Sequence, residues 1–156
     1  MHRTLLRCAT LFAGLALLQG CPEPPNQLEG SVDENFDLGF DEVRIRTFES
    51  TGELQIEYLR KTEDGSAKDV VAQITVTRPS GGFPANTDIK FEQVNGKIHR
   101  VATGDDFPAV KEGTIVFFNG GNKVDEQTSG EFNVLFENKR TLRGRFDAKL
   151  TLATAG

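Results

Sequence analysis

The sequence contains few of the residues from which catalytic and metal sites are usually built. Its 156 residues include no Trp, one Tyr, two Cys and two His. His2 and Cys8 fall in an amino-terminal segment with the composition of an export signal, which leaves one imidazole, His99, and one thiol, Cys21. A zinc site with the usual three or four His and Cys ligands therefore cannot be built from the rest of the chain.

The amino-terminal segment has the layout of a cleaved signal peptide. Arg3 and Arg7 accompany an apolar run over residues 8–18, and no acidic residue precedes Glu23. The run is 11 residues long, whereas a membrane-spanning helix needs roughly 20 residues. The pattern predicts a signal that is removed rather than a retained transmembrane helix.

The signal ends in Leu18-Gln19-Gly20-Cys21, which resembles the cleavage and acylation motif of bacterial lipoproteins. Gln19 departs from that motif, which more usually has a small residue at this position. The resemblance implies that Cys21 becomes the first residue and carries a thioether-linked diacylglycerol and an amide-linked acyl chain such as palmitate. It also implies delivery to the outer membrane of a Gram-negative bacterium, because Pro22 stands where an Asp would retain a lipoprotein in the inner membrane.

Acylation of Cys21 has consequences for the whole mature chain. Two acyl signals hold a protein stably on a bilayer, so we expect lasting attachment. The mature chain then has neither a free thiol nor a disulfide, which also excludes a Cys–His catalytic pair. Residues 129–132 (SGEF) and 142–146 (LRGRF) are similar to the endings of other small β-rich bacterial lipoproteins, a similarity that names no activity.

Composition divides the mature chain into a tether and a domain. Residues 21–27 contain the polar, proline-rich stretch PEPPNQ, which predicts an extended spacer at about 3.1 Å per residue. Residues 28–156 fit a single domain. Removal of the signal, with its two arginines, leaves 16 basic residues against 23 acidic ones, a formal charge of −7. This charge repels phosphate backbones and anionic headgroups, so we expect no nucleic-acid partner.

The hydrophobic pattern from Leu28 onward has a period of two, which is typical of strands with one buried and one exposed face. Leu142, Phe146 and Leu150 lie in one such row. No window has convincing helical periodicity, and turn signals recur along the domain. The sequence predicts an all-β domain, either an antiparallel β-sandwich or a small β-barrel of about eight or nine strands.

Two hairpin registers follow from the parity of these apolar rows. Near the carboxyl terminus, a loop with an odd number of residues, 138–140, places the apolar faces of the two flanking strands on the same side of the sheet. Further upstream the apolar rows require a loop with an even number of residues, either 51–52 or 50–53. That register places Ile45 opposite Tyr58, with an ion pair between Arg46 and Glu57 on the solvent-exposed face.

The dipeptide Asn95-Gly96 predicts a third hairpin, because the turn needs positive φ at both central residues. A two-residue loop there places His99 opposite Glu92 on the outer face. A solvated cross-strand pair accounts for His99 in this position. We therefore assign it no catalytic role.

Carboxylates are the only abundant functional groups. Residues 33–37 (DENFD) match the start of a calcium-binding loop, but Leu38 and Arg44 stand where Gly and a closing Glu are required. We assign no catalytic residue, no cofactor and no metal site. A looser calcium site remains an alternative to solvated acidic loops; its ligands would come from Asp37, Asp41, Asp105 and Asp106.

Two loops, residues 78–88 and 103–113, each contain a Phe-Pro step. A residue before proline is held extended, and aromatic residues are enriched at the centres of interfaces. The candidate partner contacts are therefore Phe83, Pro84, Phe107 and Pro108. The alternative is that each phenylalanine folds back and plugs an open end of the domain.

These observations favour a membrane-anchored, non-catalytic lipoprotein of the cell envelope. Its β-domain would bind an envelope protein or serve a structural or assembly role. The alternative is a module that binds a small ligand or calcium, and a small envelope enzyme is a third hypothesis. Convergent titratable groups in one concavity would favour the enzyme.

Overall fold

The computed structural model describes residues 25–62, 65, 68–101 and 105–153. Cys21, and with it the lipidation site, lies outside these residues. Two short 3₁₀ helices cover Ser31–Glu34 and Phe91–Val94. The strands are β1 (Gln27–Glu29), β2 (Glu42–Phe48), β3 (Glu53–Lys61), β4 (Lys68–Thr77), β5 (Ile89–Lys90), β6 (Lys97–His99), β7 (Val110–Asn119), β8 (Gln127–Phe136) and β9 (Thr141–Leu152).

The strands form one mixed sheet that curls into a half-barrel, in the order β5-β7-β8-β9-β2-β3-β4-β6, with β1 paired to β9 outside this path. The prediction of an all-β domain with about eight or nine strands is confirmed. The expectation of purely antiparallel pairing is wrong at one place, where β2 runs parallel to β9 with Ile45 beside Leu150. The reason is that β9 packs beside β2 without a hairpin connecting the two.

Residues 89–99 link the two edges of the curled sheet. β5 pairs with β7 at one edge and β6 pairs with β4 at the other, with a 3₁₀ helix between them. The predicted Asn95-Gly96 hairpin is therefore wrong. Asn95 adopts a left-handed conformation (φ 48°) that ends the helix, and the Gly96 N–H donates to the Phe91 carbonyl at 2.7 Å.

Glycines on the inner face of the sheet make room for the aromatic core. Phe132 lies opposite Gly144 in the β8–β9 pair, and Phe146 lies opposite Gly130. A methyl group on Gly144 would lie 2.7 Å from Cζ of Phe132, still closer to Cε1 of the same ring, and 2.8 Å from the hydroxyl oxygen of Tyr58. The aromatic core therefore requires glycine, which has no side chain, opposite these rings.

Tyr58 is fully buried at the centre of this core. Its ring makes edge-to-face contacts with Phe40 and Phe132, and its hydroxyl donates to the Arg145 carbonyl at 2.9 Å. Burial raises the pKa of the Tyr58 hydroxyl far above its usual value. The group is therefore a neutral hydrogen-bond donor that ties β3 to β9.

The carboxyl-terminal hairpin has the predicted odd loop, shifted by one residue. The Phe136 N–H donates to the Arg140 carbonyl, which makes the loop residues 137–139 instead of 138–140. Lys139 takes the left-handed position of this loop, with φ 66°. The predicted buried face of both strands is confirmed.

The β2–β3 hairpin differs from its prediction by the same amount. Ile45 lies opposite Ile56, so the predicted pairing of Ile45 with Tyr58 is wrong by two residues. The loop is residues 49–52, and Gly52 at φ 68° provides the left-handed conformation that closes it. A slip of two residues keeps every side chain on the same face, which is why parity does not detect it.

The domain starts slightly earlier than predicted. β1 begins at Gln27, opposite Arg145 of β9. The Asn26 side chain already belongs to the domain: its Oδ1 accepts the backbone N–H of Asp147 at 2.6 Å, and its Nδ2 donates to the Asp147 carbonyl at 3.4 Å. The tether predicted for residues 21–27 is correspondingly shorter.

Candidate functional site: a buried glutamate between two arginines

The two Phe-Pro loops close the ends of the core. Phe83 and Phe107 are each 8% exposed and belong to the core. Each stacks on a phenylalanine of the sheet, with ring centroids 4.0 Å apart near the end of β7 and 5.7 Å apart at the end of β8. Of the two interpretations, the structure shows the one in which each phenylalanine folds back as a plug. Phe83 and Phe107 are therefore not exposed partner contacts, because the rings gain more from burial against other aromatic rings. Pro84 is exposed and Pro108 half-buried beside these plugs.

The acidic loops hold carboxylates that already have protein partners. Asp37 Oδ2 is 2.9 Å from Arg60 Nη1, and Asp41 Oδ2 accepts the Lys61 backbone N–H at 2.7 Å. Within the described parts of the chain, no three His, Cys, Asp or Glu side chains lie close enough together to hold a metal ion. These contacts fix the loop between the first 3₁₀ helix and β2.

His99 does not face Glu92, because the predicted hairpin does not form. Its Nδ1 lies 3.4 Å from Asp106 Oδ2, with both side chains about half exposed. Asp106 Oδ1 also accepts the backbone N–H groups of Arg100 and Phe107 at 2.7 and 2.8 Å. Partial desolvation acts to raise the pKa of Asp106, but these two hydrogen bonds and the His99 ring together bring it below its usual value. Asp106 therefore braces the loop that carries the Phe107 plug.

A groove of about 620 Å³ runs over the outer surface of β7, β8 and β9. The charged side chains in its lining are Glu29, Glu112 and Arg143, and Arg143 Nε pairs with Glu29 Oε1 at 2.9 Å. The other polar side chains of the lining are threonines and an asparagine. This set offers neither an imidazole nor a thiol as a base or nucleophile.

A different polar cluster lies on the outer face of β2 and β3 and is centred on Glu57. Arg44 Nε donates to Glu57 Oε2 at 2.8 Å, and Arg46 Nη2 donates to Glu57 Oε1 at 2.6 Å. The Glu57 side chain is only 2% exposed, whereas those of Arg44 and Arg46 are 39% and 29% exposed. The predicted Arg46–Glu57 pair exists, but as a diagonal contact. The expectation that it is solvated is wrong, because Glu57 is buried.

This cluster carries a net positive charge, because one carboxylate is shared by two guanidinium groups. Both oxygens of Glu57 are used, and Arg46 Nη2 also lies 3.2 Å from Gln55 Oε1. The buried Nε of Arg46 has no hydrogen-bond partner. The sequence prediction missed Arg44, although the spacing Arg44-x-Arg46 on one strand face opposite a single glutamate was the available signal.

The cluster belongs to a larger positively charged surface, which we call the cationic face. Its residues form two rows across β2, β3, β4 and β6 and include three basic residues and one acidic one. The first row is Arg46, Gln55, Thr75 and Lys97, and the second is Arg44, Glu57, Gln73 and His99. The chain as a whole carries a formal charge of −5, whereas these two rows are net positive; Glu42 and Glu53 flank them on the same faces of β2 and β3.

The chain leaves the sheet close to this face. β1 and β2 lie one after the other along the same side of β9, β1 near Arg145 and β2 near Leu150. Asn26, hydrogen-bonded to Asp147, occupies the fork between them. Pro25, the first described residue, is exposed next to this fork.

Comparison with protein-family models, with curated proteins and with solved structures finds no significant match for this chain. Neither short helix, nor any other helix in the described residues, has the length and apolar character needed to cross a membrane.

Proposed function

We propose that this chain is a lipid-anchored, non-catalytic protein of the bacterial cell envelope, with a β-domain that binds an envelope protein or serves a structural or assembly role. The observation that carries the proposal is the motif Leu18-Gln19-Gly20-Cys21. Only five residues separate Cys21 from Gln27, the first residue of β1. The proposed location is the outer membrane of a Gram-negative bacterium, since Pro22 follows the cysteine.

The organisation of the domain supports a binding or structural role. Both Phe-Pro loops and the segment that links the sheet edges are used to close and fill the core. The polar contacts of the outer surface are ion pairs and loop braces, as at Arg143 and Asp106. These are features of a stable scaffold that presents its outer faces.

The anchor is tested by intact-mass analysis of the protein purified from its native envelope. We expect a chain that begins at Cys21 and carries the added mass of the diacylglycerol and the acyl chain. A Cys21→Ala variant is the control, and it should keep the signal and lack this mass. An unacylated, freely diffusing wild-type protein would overturn the proposal.

The binding role is tested by crosslinking in the native envelope. A photo-reactive residue in place of Phe118, which is 41% exposed on β7, samples the surface without disturbing the core. The same residue at the buried Phe117 is the matched control. A defined envelope protein captured from position 118 and absent from position 117 supports a binding role, and the lack of any specific adduct favours a purely structural one.

A further inference from the structure

The cationic face lies beside the point where the chain leaves for its anchor. Arg44 and Arg46 are on the outer side of β2, two and four residues beyond Glu42, which the register places at the level of Asp147 and of the fork that holds Asn26. Lys149 is exposed on the neighbouring strand β9, and Lys97 is exposed at the far side of the face. Four basic side chains therefore lie on the outer surface of the sheet, with the carboxylates of Glu42 and Asp147 nearer to the fork.

The tether is too short to hold this surface far from a bilayer. Five residue steps separate Cys21 from Asn26, and a fully extended chain spans at most about 3.3–3.6 Å per residue, or roughly 17 Å in total. Electrostatic screening at physiological ionic strength has a length of about 8 Å. An anchored domain therefore keeps its exit surface within about two screening lengths of the headgroups.

The arginines are prepared for an anionic ligand. Glu57 fixes both guanidinium groups but neutralises only one charge, and the Arg44 and Arg46 side chains stay 39% and 29% exposed. Guanidinium groups bind phosphate oxygens through several directed hydrogen bonds. Gln55, Gln73 and Thr75 add neutral hydrogen-bonding side chains to the same face.

We propose that the cationic face docks on anionic phospholipid headgroups of the bilayer that holds the Cys21 anchor. Arg44 and Arg46 contact headgroup phosphates, and Lys97 and Lys149 add charge at the two sides. The acidic remainder of the domain is then turned away from the membrane. This inference rests on the proposed lipid anchor and adds to it an orientation and a lipid preference.

The test uses the acylated full-length mature protein in vesicles of phosphatidylcholine, with or without phosphatidylglycerol. Because the acylated chain has no other thiol, a single cysteine can be labelled with a fluorophore, at Thr75→Cys on the cationic face or at Asn133→Cys on the outer face of β8. Nitroxide-labelled headgroups report the distance of each fluorophore from the membrane. We expect phosphatidylglycerol to increase quenching at position 75 and not at position 133, and added salt to reverse the increase.

Charge variants distinguish the effect of the cationic face from the effect of the overall charge of the protein. Lys97→Gln with Lys149→Gln leaves the Glu57 cluster intact, and Lys111→Gln with Lys139→Gln makes the same change of charge elsewhere. Each basic group at an anionic surface changes the docked-to-undocked ratio by roughly fivefold. The first pair is therefore expected to abolish most of the phosphatidylglycerol-dependent quenching, and the second pair to leave it unchanged.

The outcomes distinguish this inference from the proposed function. Equal quenching at positions 75 and 133, or quenching at position 75 that ignores phosphatidylglycerol, would overturn the docking proposal while leaving the anchor in place. An equal effect of the two lysine pairs would also overturn it, because net charge alone would then explain the result. A mature protein without acyl mass on Cys21 would instead remove the proposed function itself.

Discussion

The close packing of Gly144 against two buried rings predicts that Gly144→Ala destabilises the domain severely. The new methyl group would lie 2.7 Å from Cζ of Phe132, still closer to Cε1 of the same ring, and 2.8 Å from the Tyr58 hydroxyl oxygen. Phe132 is 1% exposed and Tyr58 fully buried, so neither ring can move into solvent. One of them must leave its place in the core.

Two costs combine in this variant. Overpacking of a filled core costs about 1–3 kcal/mol. Displacement of Tyr58 also breaks its hydrogen bond to the Arg145 carbonyl, and a buried hydroxyl left without a partner costs about 1–3 kcal/mol. We therefore expect a loss of about 2–6 kcal/mol in the free energy of unfolding, against a typical total of about 5–15 kcal/mol. At about 4 °C per kcal/mol for this chain length, the corresponding fall in Tm is roughly 8–24 °C.

Urea denaturation followed by circular dichroism measures this loss, and two further variants make it specific. Gly81→Ala is the control, because a methyl group there meets no atom within 4 Å, and it should change stability by less than about 0.5 kcal/mol. Phe132→Leu should relieve the clash. The double variant Gly144→Ala, Phe132→Leu is expected to lose at least about 1 kcal/mol less than the sum of the two single variants.

A Gly144→Ala protein as stable as the wild type would refute this account of the core. Strict additivity of Gly144→Ala and Phe132→Leu would be equally damaging. In that case the loss would come from a source other than contact between these two side chains, such as contact of the new methyl group with the Tyr58 hydroxyl.

Two further predictions concern polar contacts. Replacing Arg44 and Arg46 together by Ala removes both cations that pair with Glu57 and opens its carboxylate to water, so urea denaturation should show a loss of about 1–3 kcal/mol, below the roughly 3–5 kcal/mol expected of a carboxylate that stays buried. No measurable loss would mean that water fully replaces the arginines. The lowered pKa of Asp106 stabilises the fold above the unfolded pKa of about 3.9, and this contribution disappears as pH falls through the lower folded pKa. Because Asp106 is half exposed, Asp106→Asn should lower the free energy of unfolding by no more than about 1 kcal/mol at pH 7. The difference in stability from the wild type should vanish at more acidic pH. A difference that grows on acidification would contradict the lowered pKa of Asp106.

The buried faces of the strands were predictable because strand alternation is a local property of the backbone. Leu142, Phe146 and Leu150 occupy one predicted row, and all three are fully buried. Leu152, the last member of that row, is 46% exposed because the strand ends there and the core does not reach it. The pattern thus indicates which side of a strand is buried, but not how far the core extends along it.

Register and closure could not be predicted, because they depend on tertiary contacts. Asn95-Gly96 favours a hairpin turn, yet the chain here must cross from one sheet edge to the other. Phe91 packs so tightly against Gly96 and Gly113 that a methyl group at Gly113 would lie 2.6 Å from its ring. This packing against β7 favours a helical turn over the local hairpin preference.

The candidate site was predictable only in part. The alternation of side chains along the strands predicted that Arg46 and Glu57 share the outer face, and the two side chains do form an ion pair. The burial of Glu57 could not be inferred, because it results from a second arginine, Arg44, that covers the carboxylate from the neighbouring strand. Alternation assigns Glu57 to a solvent face and contains no information about side chains that fold over it.

The distribution of charge qualifies the conclusion drawn from its total. A formal charge of −7 on the mature chain argues against anionic surfaces only when the charges act together from a distance of many screening lengths. If the chain is anchored as proposed, a tether of about 17 Å takes the domain out of that regime, because screening over about 8 Å leaves the nearest charges dominant. The carboxylates of Asp147 and Glu42 lie nearest the fork at Asn26, and Arg44 and Arg46 follow further along β2. The proposed orientation therefore requires the basic residues of the cationic face, together with Lys149, to outweigh these two carboxylates, and the paired lysine variants measure that balance.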